Sequence, residues 1–300
     1  MTSAVVPGEL RATLDEAPQR RSFWSVLFAG PATVAGALVI LLVGLCAIFA
    51  PLLAPHDPNL QNLALALKPP AWLAGGERAF PLGTDNLGRD ILSRVIWGSR
   101  VAGIVALSVV LIGGLIGVTA GMIAGYFGGP ADDVIARLAD IQLAFPFVLL
   151  AIAIVGVVGP GLGTIIGVLG VTSWVQYVRV VRAETLSLRG RDFVQAARAT
   201  GSAAPRILLR HILPNIASSV TVLATFEVAR TVILESALSF LGLGAPQDVP
   251  SWGTMLADGR QYLDTAWWLG TFPGLAISFT VLGVNLFGDG LRDALDPQSR

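Results

Sequence analysis

Long apolar segments separated by short polar ones dominate the pattern of this 300-residue chain. Six of these segments are close to the ~20 residues that a helix needs to cross a bilayer. None shows the residue alternation of a barrel strand, and a spanning helix satisfies its own backbone groups. The pattern therefore predicts an all-α integral membrane protein with six transmembrane helices. The predicted spans are 31–53, 101–127, 134–158, 160–178, 215–241 and 266–287.

The polar segments divide the chain further. Apolar residues recur at helical spacing after Asp90, which predicts a separate interfacial helix before the second span, with Asp90 as its N-cap. The first span is longer than the apolar part of a signal peptide, so we interpret it as an uncleaved signal anchor. The predicted divisions are an N-terminal tail (1–30), the first transmembrane helix (31–53), an extracytoplasmic loop (54–100), a transmembrane core (101–290) containing a polar loop (179–214), and a C-terminal tail (291–300).

Composition supports the membrane assignment. Apolar residues make up 54% of the chain and charged residues 13%, whereas an ordinary soluble domain carries about 25% charged residues. The mean hydropathy is +0.71. The formal net charge is zero, so no nucleic-acid partner is expected, and lipid is the surrounding medium.

The distribution of basic residues predicts the orientation. If both termini are cytoplasmic, the cytoplasmic side holds three arginines in the N-terminal tail, seven in 179–210, two near the C-terminus and Arg137. The opposite side then holds Lys68 and five arginines, most of them in one long loop. Because short cytoplasmic loops are enriched in Lys and Arg, this asymmetry predicts a multi-pass protein of the bacterial inner membrane with both termini inside.

The chain lacks the residue patterns of a catalytic site. Its only lysine, Lys68, precedes Pro69, so the phosphate-binding pattern GxxxxGK[ST] does not occur. Two histidines, His56 and His211, lie in loops predicted on opposite sides of the membrane, and the single cysteine, Cys46, lies inside an apolar run. No catalytic residue, cofactor or metal site is therefore expected on this chain.

The polar loop at 179–214 carries the most specific pattern. Arg191 to Thr200 predicts a short helix, with Gly201 suited to the left-handed position that ends it. Pro205 suits the first turn of a second helix that runs to Leu213, before Pro214 opens the fifth span. Alanines make the first helix narrow enough to enter a cleft on a partner, and its arginines can bind partner carboxylates. An amphipathic helix resting on anionic headgroups is the alternative.

This loop resembles the coupling loop of ABC importer permeases, whose pattern is EAA-x3-G followed, nine residues later, by I-x-L-P. Here Gln195 replaces the Glu and His211 replaces the Ile. Three more stretches resemble the dipeptide/oligopeptide permeases, and most closely their second permease subunit: 82–94, 235–256 and 273–297. The resemblance implies ATPase-coupling roles for Arg191, Gln195, Ala196, Ala197, Arg198, Gly201, Arg206, His211, Leu213 and Pro214.

The same resemblance implies the type I importer fold and a set of partners. These are a homologous permease subunit, two ABC ATPase subunits and an extracytoplasmic substrate-binding protein. The implied function is a non-catalytic subunit that forms the membrane path for di- and oligopeptides. The alternatives are import of nickel chelates, glutathione or oligosaccharides by the same architecture, an ion-coupled secondary transporter, and a membrane enzyme.

Four charged residues and four glycines inside the spans need their own explanation. Glu227 and Arg230 are three residues apart near mid-membrane, so they can pair on one helix face. With Glu235, and more weakly Asp140, they either line the translocation path or fix the contact between two permeases. A glycine repeat in the second span predicts close helix packing, and we favour a static seam over a hinge. Its members are Gly113, Gly117, Gly121 and Gly125.

Overall fold

The computed structural model describes residues 23–246 and 248–295, so the predicted tails fall largely outside the described residues. The described part is mainly helical, and a single isolated β-bridge joins Thr84 to Asp90 within it. Its helices are α1 (Phe23–Leu27), α2 (Pro31–Leu53), α3 (Ile91–Phe127), α4 (Gly129–Ala144), α5 (Phe147–Val158), α6 (Leu162–Leu188), α7 (Asp192–Ala199), α8 (Ala204–Ile207), α9 (Leu213–Phe240), α10 (Trp252–Gly259) and α11 (Trp268–Leu295).

The prediction of six spans is confirmed when one bent pair is counted as a span. Five helical segments are long and apolar enough to cross a membrane, and α4 with α5 supplies the sixth. The spans form a bundle in which α3 packs against α6, α2 and α9, while α11 packs against α2 and α9. We call the end that contains residues 189–207 the motif end, and the end that contains residues 54–90 the long-loop end.

The third span differs from the prediction because it is not straight. Helices α4 and α5 meet at an angle of 86°. The bend falls at Phe145, whose backbone is extended (φ −95°, ψ 127°) and which precedes Pro146. A proline disfavours helical geometry in the residue before it, which explains the break.

Two helices also extend beyond the predicted boundaries. The interfacial helix is not separate, because α3 runs without interruption from Ile91 to Phe127 and is about 55 Å long. Asp90 is its N-cap as predicted, since its carboxylate accepts hydrogen bonds from the N–H groups of Leu92 and Ser93. Helix α6 continues to Leu188 instead of ending at 178, so the polar loop is much shorter than predicted.

The glycine repeat lies in the seam between α3 and α6. A Cβ built on Gly117 would lie 2.4 Å from the Trp174 carbonyl oxygen and 2.5 Å from the Tyr177 Cβ. The other three glycines of the repeat are equally close to α6. Each therefore allows the two backbones to approach, as the packing-seam interpretation requires.

The long loop folds into a cap on the bundle at the long-loop end. Arg89 donates to Asp85 (2.6 Å) and to Asp258 on α10 (3.3 Å), and fully buried Arg94 donates to the Pro58 carbonyl oxygen. The Trp268 indole N–H donates to the Thr84 carbonyl oxygen. These bonds tie 54–90 to the ends of the spans.

Candidate coupling site at the motif end

Helix α7 is a short helix with ends fixed by the local sequence. Arg191 is its extended N-cap residue, and Asp192 in the first turn favours the positive end of the helix dipole. At the other end the Ser202 N–H donates to the Ala197 carbonyl oxygen, and the Gly201 N–H donates to that of Arg198. This is a Schellman motif, and the φ of +79° at Gly201 confirms the predicted left-handed position.

One face of α7 packs on the bundle. Val194 and Ala197 are buried in a cluster with Met122 and Tyr126 from α3 and Val181 from α6. The expectation that Ala197 lies at a partner contact is therefore corrected: its side chain holds α7 on its own chain. The opposite face is open, and Gln195, Ala196 and Ala199 are exposed there.

The arginines of this region divide into two groups. Arg182 binds both carboxylate oxygens of Asp132, Arg189 donates to the Gly125 carbonyl oxygen (3.3 Å), and Arg198 donates to the Tyr126 hydroxyl (3.2 Å). The Arg198 guanidinium also lies 4.5 Å from the centre of the Tyr126 ring, a cation–π contact. These three brace the loop against the spans.

A second group of arginines remains available to a partner. Arg191, Arg206 and Arg210 are exposed, and none forms an ion pair within the described ranges. They lie before, within and after α8, close in sequence to α7. A guanidinium in such a position can bind a partner carboxylate in bidentate geometry.

The predicted second helix does not end at Pro214. Helix α8 passes into a π turn, Leu208–Ile212, in which the Leu213 N–H donates to the Leu208 carbonyl oxygen. Pro214 then lies in the first turn of α9, and the helix continues without a break. His211 is half-buried within the π turn, and its carbonyl oxygen accepts a hydrogen bond from the Asn215 side chain.

Comparison with known proteins assigns this architecture. Residues 117–300 match the family described as binding-protein-dependent transport system inner membrane component, and residues 19–70 match the N-terminal transmembrane domain of oligopeptide transport permease C. The chain belongs to this permease family. The type I permease fold and the membrane-subunit role expected from the resemblance are thereby shown.

Relatives of this permease cover nearly the whole chain. The di/tripeptide transport system permease protein of Pseudomonas aeruginosa is 44% identical over 278 residues, which are 93% of this chain and 92% of that one. The dipeptide transport system permease protein of Haemophilus influenzae is 41% identical over 278 residues (93% and 94%). The glutathione transport system permease protein of Pectobacterium atrosepticum is 40% identical over 278 residues (93% and 91%).

The permease carries its predicted charge pair inside α9. The Arg230 Nη1 lies 3.2 Å and 3.3 Å from the two carboxylate oxygens of Glu227, so the predicted contact is confirmed. The Glu227 side chain is 5% exposed and that of Arg230 is 43% exposed. The pair therefore extends from the interior of this subunit to its surface.

Two other charged candidates have different surroundings. Glu235 is buried inside the subunit, where it accepts hydrogen bonds from the hydroxyls of Ser239 (2.7 Å) and Ser236 (3.3 Å). It therefore does not reach a surface of the single subunit. Asp140 on α4 is 75% exposed and lies 3.9 Å from Arg179 Nη2.

Sequence reasoning missed the residues that anchor the loops. Tyr126 and Asp132 hold arginines of the motif end, yet neither stands in a recognisable pattern. At the other end Asp258 contacts Arg89; burial raises the pKa of the Asp258 carboxyl, while the Arg89 and Arg94 charges partly offset this. A charged residue within the otherwise apolar run after 251 is the signal that could have identified Asp258.

Proposed function

We propose that this permease is one of two membrane subunits of an ATP-driven importer of short peptides. The motif end faces the cytoplasm, and the open face of α7 enters a cleft on an ABC ATPase subunit. A homologous permease completes the membrane path, and a substrate-binding protein delivers the peptide at the long-loop end. ATP is bound elsewhere, since the chain's one lysine excludes a phosphate-binding loop within these 300 residues.

The observation that carries this proposal is the division of α7 into two faces. The inner face, with Val194 and Ala197, attaches the helix to α3 and α6. The outer face, with Ala196 and Ala199, is narrow and exposed, and the nearby Arg191, Arg206 and Arg210 form no ion pair with the residues that the structure describes. A helix attached in this way transmits a displacement of its partner to the α3–α6 pair.

Peptide cargo is supported by the relatives. Those named above at 44% and 41% identity are named for di/tripeptide and dipeptide transport. The ATPase cycle would shift the population between outward- and inward-facing states, because the ATPase binds the two states differently.

The test adds a negative charge to the outer face of α7 and, as a control, to the long-loop end. Ala196→Glu and Ala199→Glu add bulk and an unpaired carboxylate to the outer face of α7. We expect both variants to insert normally and to bind the ATPase subunit at least roughly tenfold more weakly, because burying an unpaired charge is costly. The measurement is copurification of the ATPase and peptide-stimulated ATP hydrolysis in proteoliposomes.

The matched control is Ala74→Glu, an exposed alanine at the long-loop end. This variant should retain wild-type ATPase binding. Wild-type binding by both α7 variants would show that the loop is a basic topogenic segment without a coupling role.

Glutathione is a second candidate cargo, because one 40% identical relative is named for its transport. Competition for uptake distinguishes the dipeptide from the glutathione hypothesis. In cells that depend on this transporter, uptake of a labelled dipeptide should be inhibited by unlabelled dipeptides and not by glutathione. The reverse ranking would assign glutathione as the substrate.

A further inference from the structure

A cavity of about 640 Å³ opens at the long-loop end, away from the coupling site. It lies between the end of α2, the first turns of α3, the start of α6 and residues 248–250. Neither the coupling helix nor the charged pair on α9 contributes to its walls. The proposed function assigns it no role.

The walls of the cavity combine both signs of charge with an apolar base. Arg100 supplies the positive charge, and Asp57 and Asp248 supply two carboxylates. Ile104 and Leu162 belong to the apolar part, on the side of the spans. Such a site matches a ligand that carries a cation and an anion at one end and hydrocarbon at the other.

The charged groups are held apart and not paired with each other. The Asn59 N–H donates to the Asp57 carboxylate (2.8 Å), and the Asn59 side chain donates to the Asp248 carbonyl oxygen (2.7 Å), so one residue joins both acidic segments. The Arg100 guanidinium lies 5.5 Å from the centre of the Trp97 ring. Arg100 forms no ion pair with any of the described residues, so its donors are available.

The position of the cavity is that of a bilayer interface. Arg100 is the last charged residue before the uninterrupted apolar run 101–127. Trp97 stands beside it, as aromatic residues do at headgroup level, and arginine extends its charge towards that level. Below it, Ile104, Leu107 and Leu111 are exposed on one face of α3 and lead from the cavity into the membrane.

We propose that this cavity binds the headgroup of a phospholipid that carries both a phosphate and a primary ammonium, as phosphatidylethanolamine does. The phosphate binds Arg100, the ammonium donates to Asp57 and Asp248, and one acyl chain lies along the exposed face of α3. The carboxylates select against a quaternary ammonium, which has no N–H to donate, and against a purely anionic headgroup.

The experiment measures which lipids stay with the protein. The full chain, purified with the subunits with which it assembles, is exchanged into nanodiscs of equal phosphatidylethanolamine, phosphatidylcholine and phosphatidylglycerol. It is then extracted into detergent, and the retained lipids are quantified by mass spectrometry. We expect roughly tenfold enrichment of phosphatidylethanolamine over phosphatidylcholine, because one charge-assisted hydrogen bond contributes about that factor.

Three variants and two matched controls locate the site. Asp57→Asn should reduce the enrichment of phosphatidylethanolamine over phosphatidylcholine. Arg100→Gln should lower the amount of phosphatidylethanolamine retained, whereas Arg100→Lys should preserve part of it. Arg78→Gln and Asp264→Asn change exposed residues at the same end that do not line the cavity, and both should behave as wild type.

Three results would overturn the proposal. Equal retention of the three lipids by the wild-type protein is the first, and it does not depend on any variant folding. An equal loss of enrichment in the control variants is the second. Displacement of the lipid by a short zwitterionic peptide, which shares the two charges but lacks the hydrocarbon, is the third and would make the cavity a peptide site.

Discussion

At the scale of single residues, sequence shows charge but not the partner of each charge. The arginines of 179–210 look equivalent in the sequence, yet Arg182, Arg189 and Arg198 are bonded within the chain. Asp132 on α4 lies 50 residues from Arg182, and Gly125 and Tyr126 on α3 lie 64 and 72 residues from Arg189 and Arg198. Only the three-residue spacing of Glu227 and Arg230 allowed a pair to be predicted, because that contact is local to one helix.

For the Glu227–Arg230 pair, we predict that replacing Arg230 costs more stability than replacing Glu227. Arg230→Gln leaves the buried Glu227 carboxylate without its partner, at a cost of about 3–5 kcal/mol. Glu227→Gln leaves a cation that is 43% exposed and can reach solvent or a partner subunit, so it should cost less. The measurement is the yield of assembled complex and peptide transport for each variant.

The double variant completes this test. Because it leaves neither charge unpaired, it should recover part of the loss caused by Arg230→Gln. Losses that simply add across the cycle would mean that the two residues act independently.

At the scale of elements, the spans were predictable but their joints were not. A glycine every fourth residue marks one helix face, so close packing of that face was predicted, but the sequence did not identify α6 as the helix that packs there. The boundary at 101 was wrong because α3 is continuous with residues that hydropathy assigns to the loop. The bend at Phe145 was missed although the following proline signals it, because the apolar run continues across the break.

Two glycines three residues apart on α3 offer a matched test of the α3–α6 seam. Gly117→Ala places a methyl group 2.4 Å from the Trp174 carbonyl oxygen, so the helices must separate, at about 1–3 kcal/mol for an overpacked contact. Gly114→Ala meets its nearest atom, on Tyr177, at 3.7 Å, which is ordinary contact. We expect a lower thermal unfolding midpoint in detergent for Gly117→Ala only. Equal midpoints for the two variants would show that the seam has room to spare.

At the scale of the whole molecule, the orientation in the membrane is predicted from the count of basic residues alone. The structure places residues 189–207 and the start of α2 at one end of the bundle and the folded long loop at the other. This arrangement agrees with an odd number of crossings between the two regions. Which end lies inside the cell remains a prediction of the arginine asymmetry.

Cysteine labelling tests that orientation. With Cys46 replaced by Ser, Ala74→Cys should react with an impermeant thiol reagent added outside intact cells. Ser202→Cys should react only after the cells are opened. Ala74 is preferred to its neighbour Gly75, whose φ of +86° would be strained by a side chain. Labelling in the opposite order would place the motif end outside and remove the basis for ATPase contact.

The number of residues in the π turn Leu208–Ile212 determines the direction in which the chain enters α9. Each residue of an α-helix advances the chain by about 100° around the axis, and a π turn holds one residue more than an α turn. Deleting one residue there would let the turn relax to α geometry and rotate α8 by about that angle around the axis of α9. Val194 and Ala197 hold α7 on α3 and α6, so the rotated α8 would no longer meet the end of α7. The number of residues in the π turn therefore sets the direction in which α8 leaves α9.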